Sequence, residues 1–228
     1  MPFYLYNMTL QEIVQQVQNM KDGGITSSSI KMSNEQIADI VHYYRAKLIR
    51  QEIDRGMKLD PALIQPLFSI EVERVKFDRS QPLSGKTVFK TTKKIPRAIA
   101  TKGPNLITFV GHNLLGQAFQ RTTLYKAQLD IYRPFTALNI KWFEFNEHIY
   151  LITEDSLKEI VIQLVVENPT KVIEFNNQLD VYSPFNYEYP LSVTMLDSLF
   201  KLMADMELKY GSIPTDDIND GLEAATNK

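Results

Sequence analysis

SNEQIADIVHYYRAKLIRQEIDRG, residues 33–56, carries the clearest helix signal in the chain. Ser33 is placed as an N-cap and Gln36 follows three residues later, which is the spacing of a reciprocal capping box. Met32 before the cap and Ile37 after it stand where a hydrophobic staple closes. Glu35 and Asp39 lie near the positive end of the helix dipole and Arg55 near the negative end. Gly56 is a natural left-handed stop.

The apolar positions of this helix do not form one stripe. At about 100° per residue, Ile37, Ile40, Val41, Tyr44 and Leu48 fall on one side, and Ala46, Ile49 and Ile53 on the roughly opposite side. Two stripes imply a helix held between two surfaces. Either both surfaces belong to this chain, or one belongs to a neighbouring subunit, with Ala46, Ile49 and Ile53 facing it. His42 lies with the second stripe.

Upstream, residues 9–21 repeat the same grammar. Thr9 caps, Glu12 answers it, and Leu10, Ile13, Val14, Val17 and Met20 make a stripe. Asp22-Gly23-Gly24 ends that helix. Two short amphipathic helices need packing partners, so they are expected to pair. Downstream, Asp60-Pro61 and Gln65-Pro66 block further helix. The period then changes to two: Phe68, Ile70 and Val72 alternate with polar residues, which predicts a half-buried strand. Residues 86–94, 106–110, 119–132 and 158–166 read as further β segments, and 141–145 with 148–152 as a hairpin turning at Asn146-Glu147. Residues 170–189 read as an ordered, proline-broken loop. Ser192 then caps a helix with Met195, Leu199, Leu202 and Met206 on its stripe.

The expected architecture is therefore α+β: an N-terminal helical bundle completed by a C-terminal helix, with an inserted, mainly β domain. The expected divisions are 1–66, helical; 67–166, the β insertion; 167–211, a loop and the last helix; and 212–228, an acidic arm with few large apolar groups.

Composition narrows the function classes. The 228 residues are 44% hydrophobic and 23% charged, with net charge −2 and no cysteine. That is an ordinary folded composition. It removes disulfides, thiolate catalysis and cysteine-based metal sites. No run is long and apolar enough to span a membrane, and MPFYLYNMTLQ lacks the pattern of a signal peptide.

Motif candidates for chemistry fail on spacing. Ser84-Gly85-Lys86-Thr87 resembles the end of a P-loop, but Ser80 stands where the first glycine is needed and a strand-like run follows. The acidic run Asp216–Gly221 misses the calcium-loop register. His42, His112 and His148 have no metal-ligand spacing, and Glu147-His148 reads as an exposed turn pair. No catalytic, cofactor-binding or metal site is expected. What stands out is a basic segment. Arg74, Lys76, Arg79, Lys86, Lys90, Lys93, Lys94, Arg97 and Lys102 are set against a single acid, Asp78. Lys86, Lys90, Lys93, Lys94 and Arg97 are the candidate contact surface. A solvated face, a protein contact or nucleic-acid phosphates each fit such a run.

SNEQIADIVHYYRAKLIRQE, preceded by TLQEIVQQV, resembles the N-terminal region of structural proteins of crAss-like bacteriophages. Val165-Val166-Glu167-Asn168-Pro169, Tyr189-Pro190-Leu191 and Asp217-Ile218-Asn219-Asp220 fit the same likeness. The resemblance implies a head-to-tail connector, or tail-barrel ring protein, of a short-tailed phage. Such a protein forms a closed, usually dodecameric ring of its own copies, meets the portal or adjacent tail rings, and surrounds genomic DNA without binding it specifically. It implies no enzyme activity, no cofactor and no membrane, and a place in the virion after assembly in the host cytoplasm. The β insertion has no counterpart in the likeness.

Overall fold

The computed structural model describes residues 8–22, 32–76, 83, 87–112, 117–129, 140–176 and 185–205. In chain order they form α1 (Leu10–Asp22), α2 (Asn34–Asp54), a short 3-10 turn (Pro61–Leu63), β1 (Gln65–Val75), β2 (Val88–Thr91), β3 (Ile107–His112), β4 (Gln120–Arg121), α3 (Leu124–Leu129), β5 (Lys141–Phe145), β6 (His148–Ile152), β7 (Glu159–Leu164), α4 (Thr170–Phe175) and α5 (Val193–Met203).

The seven strands make one sheet in the order β3-β7-β1-β2-β6-β5-β4. β1 is its hinge. Its first half pairs with β7 and its last residues, Val72–Val75, pair with β2. The sheet curls until its two ends meet. Phe119 N–H donates to the Val110 carbonyl at 2.8 Å, and Gly111 bridges Ala118. A Cβ at Gly111 would stand 2.8 Å from the Gln117 carbonyl oxygen, so only glycine admits this approach. Arg121 Nη1 donates to the Asn105 carbonyl at 2.9 Å, and Asn105 Nδ2 reaches both Glu144 carboxylate oxygens at 2.9 Å. The Arg121 guanidinium also lies 4.9 Å over the Trp142 ring. The inside of the curl holds Leu67, Ile70, Trp142, Ile149, Leu151, Ile160, Ile162 and Leu164.

This corrects the expected fold. The body is the curled sheet, with the helices laid against it; it is not an N-terminal helical bundle carrying a β insertion. α1, α2 and α5 do touch one another, but their apolar residues share a core with Leu63, Ile99 and Val165 from the sheet and its margins. Leu164 faces the inside of the curl and the next residue, Val165, faces the helices, so β7 joins the two cores. The helix signals are local and strong, because caps and stripe lie within one segment. The pairings that make the sheet are distant, such as Gln65 with Leu164, and leave no local mark.

Local readings fared unevenly. The Ser33–Gln36 box is present, and Thr9 and Glu12 exchange the same two bonds at 2.8 and 3.2 Å. The hairpin turns at Asn146 and Glu147 with φ of 51° and 63°, the two left-handed residues of a type I′ turn. The 119–132 segment is not a strand beyond Arg121. Leu124–Leu129 is a helix whose start is capped by Thr123 Oγ1, which accepts from Lys126 N–H at 3.2 Å. Residues 170–175 are helical too, started by the Asn168 side chain accepting from Thr170 N–H at 3.0 Å. In β1 the simple alternation breaks. The register slips between Leu67 and Ile70, Ser69 adopts φ 47°, and Phe68 turns outward to 56% exposure while Leu67 takes the buried place.

Candidate functional site

α2 explains its own two stripes. Ile37, Ala38, Val41, His42, Tyr44, Arg45, Ala46 and Ile49 are all buried. At 100° per residue they form one continuous arc of roughly 200°, with Arg45 near its middle. The two apolar stripes are the edges of that arc. Ala46 is 8% exposed and Ile49 1% within the single chain, and Ile53 packs against the same core while partly open. Ala46 and Ile49 are thus covered by the chain itself, while Asp39, Tyr43 and Arg50 are among the exposed positions of this helix.

Arg45 is the group that sequence reasoning missed. It is fully buried with no carboxylate partner among the described residues. Its Nε donates to the Pro190 carbonyl and its Nη1 to the Val166 carbonyl, both at 2.8 Å. Burial lowers its pKa, and Tyr189 and Tyr187 oppose that shift. The guanidinium lies 5.7 Å over the Tyr189 ring. Tyr189 also reaches His42, whose Nδ1 is 2.8 Å from the hydroxyl. Burial first, and Arg45 second, push the His42 pKa down to about 4. Burial likewise pushes the Tyr189 phenol up. Residues 185–191 thus act as a strap. They bond α1 through Leu10 N–H to the Tyr187 carbonyl at 3.3 Å and Gln11 N–H to the Phe185 carbonyl at 2.9 Å, and the Tyr187 hydroxyl accepts from Gln65 Nε2 at 3.4 Å. The available signal was Arg45 itself, a charge sitting between two apolar stripes.

The basic segment disperses. Lys86 lies outside the described residues. Lys90 stands directly across from Glu73 on β1. Lys94 pairs with Glu147 at 3.3 Å and Arg97 with Glu167 at 3.7 Å, while Arg50 approaches the same Glu167 at 3.7 Å. Lys93 is exposed and shares a recess with Glu71. Among the described residues, acids distant in sequence thus stand beside Lys90, Lys94 and Arg97.

His148 is not an exposed turn residue. It is buried, with Nδ1 2.9 Å from the Thr91 carbonyl. Trp142 and Phe143 are buried, whereas Phe145 is 50% exposed. Among the described residues no cluster of three or more His, Asp or Glu side chains is placed to hold a metal. The recess at the β1 bulge has a volume of about 400 Å³ and is floored by Phe68, Ile70 and Phe175. Ser69, Glu71, Thr92, Lys93 and Asn176 complete its lining.

The described residues form a curled sheet with a helical layer laid against it and a buried Arg45 between them. The family model described as phage tail ring protein 2 matches residues 12–222, and the chain belongs to this family of crAss-like phage tail ring proteins. It is a structural ring protein of the phage virion that associates with itself. No curated protein matches the chain. Among the described residues no helix is long and apolar enough to cross a membrane.

Proposed function

We propose that copies of this chain close into a dodecameric ring in the phage neck, between the portal and the tail, and that the ring surrounds the channel through which the genome leaves. The family match over residues 12–222 carries this reading. A heterologous contact that closes on itself gives such a ring. Among the described residues Lys94 and Arg97 are paired with acids, which accords with a channel wall past which DNA slides, since tight phosphate contacts would hold it. The chain works without catalysis, and its assembly takes place in the host cytoplasm before it is sealed into the virion.

The test is mass photometry and negative-stain imaging of the purified chain, alone and mixed with its portal. The expected result is a closed ring seated on the portal's tail-side face. A chain that stays single in both samples overturns the reading. A ring that forms but does not bind the portal keeps the family role and removes the neck position.

A further inference from the structure

Two unfavourable features coincide in β1. Ser69 holds a left-handed φ of 47° without being glycine, and Phe68 stands 56% exposed beside it. A left-handed non-glycine residue costs about 1–2 kcal/mol, and a bulge re-aims the side chain it carries. Around it, the ladder between β2 and β1 begins at Val72, Thr92 N–H donates to the Glu71 carbonyl at 3.0 Å, and Asn176 Nδ2 donates to the Pro66 carbonyl at 3.3 Å. The recess between the end of β2 and the end of α4 has Phe68, Ile70 and Phe175 as its floor, Lys93 and Thr92 on one rim and Glu71 in the lining.

The chain also contains a segment whose chemistry fits. Beyond Asp205 it continues to Lys228, about 70 Å if extended, against about 45 Å for the width of a domain of this length. The family match runs into this segment, to residue 222. Residues 212–228 hold three large aliphatic groups, Ile213, Ile218 and Leu222, among Asp216, Asp217, Asp220 and Glu223. Ile218 has an acid on one side, Asp217, and a neutral donor on the other, Asn219. Lys93 and Glu71 present the complementary order beside the apolar floor. We infer that the C-terminal arm of a second copy docks there, with Ile218 on Phe68 and Phe175, Asp217 toward Lys93 and Asn219 toward Glu71. Each subunit then offers an arm on one side and a recess on the other, which is the head-to-tail pairing a ring needs. The inference rests on the ring reading and assigns its contact.

The experiment uses the full chain with p-benzoylphenylalanine in place of Phe68, mixed from isotope-labelled and unlabelled preparations, assembled and irradiated. Crosslinks from residue 68 to residues 213–222 that join labelled to unlabelled chains are expected. Crosslinks confined to one chain, or to any other segment, or none in assembled material, overturn the inference while the ring stands. A chain that stays single by mass photometry sinks the ring reading and this contact together. Charge exchange supplies a second readout. Lys93→Glu should weaken self-association about tenfold at unchanged Tm, and adding Asp217→Lys should restore it. Loss without restoration, or no loss, counts against the arm.

Discussion

Arg45 and the run from Lys90 to Arg97 handle positive charge in opposite ways. The run is conspicuous in sequence, yet in the fold Lys93, Lys94 and Arg97 are exposed, Lys94 and Arg97 pair with Glu147 and Glu167, and Lys90 stands across the strands from Glu73. Arg45 is one of three cations on α2, with Lys47 and Arg50, and is easily overlooked, yet it is fully buried and joins α2 to the Val166 and Pro190 carbonyls. Exposed pairs are worth little because water screens them and long side chains lose freedom. A buried guanidinium is a different matter, since removing it leaves carbonyls unpaired and a void. Density of charge in a sequence is thus a poor guide to where charge matters. The better guide is a charge standing where the helical period demands burial.

The largest expected effect comes from breaking the buried side. Arg45→Ala should lower the free energy of unfolding by about 3–5 kcal/mol in urea titration. Arg45→Met should lose less, because it keeps the packing and gives up only the two bonds. Equal losses would mean the hydrogen bonds carry the whole effect. Ile49→Asp should be comparably severe and should act on the single chain, since Ile49 is 1% exposed there. Ile53→Asp, at a partly open position, should be markedly milder. If Ile49→Asp folds normally and only assembly suffers, the arc on α2 is wrongly described.

Acid sharpens the same contrast. The His42 pKa is about 4 in the fold against 6.5 for a free histidine, so the unfolded chain binds the extra proton first. Stability is unaffected above pH 6.5 and falls as the pH drops from there to 4, by about 3 kcal/mol in all. His42→Gln should flatten that slope over the same window, as read from urea titrations at several pH values.

How much of this was legible in the sequence depends on the distance over which each feature is decided. The ends of α2, the Thr9–Glu12 cap and the Asn146-Glu147 turn are settled within a few residues, and they were readable. The helix at Leu124–Leu129 was missed because its aromatic and β-branched flanks outweighed the Thr123 cap. The burial of Arg45 was hidden because its partners lie 121 and 145 residues away. The bulge at Ser69 has no glycine to announce it. The sheet as the body of the fold follows from pairings that no window of sequence contains. The basic residues of the candidate surface, Lys86, Lys90, Lys93, Lys94 and Arg97, were visible as a run, but Glu147 and Glu167, which pair with Lys94 and Arg97, come from segments far along the chain.

Smaller effects belong to the exposed side. Glu147→Gly relieves a left-handed φ of 63° and gives up the pair with Lys94. A net gain of about 0.5 kcal/mol is expected, read as a small rise in Tm. Lys94→Ala and Arg97→Ala should each change stability by less than about 0.5 kcal/mol.

The most direct test is hydrogen exchange across residues 37–53, compared between the dispersed chain and the assembled ring. If α2 is enclosed by its own strap, sheet and last helix, its amides should be slow in the single chain and no slower after assembly. Amides that exchange freely in the single chain and become protected only in the ring would show that a neighbour, and not the chain itself, covers this helix.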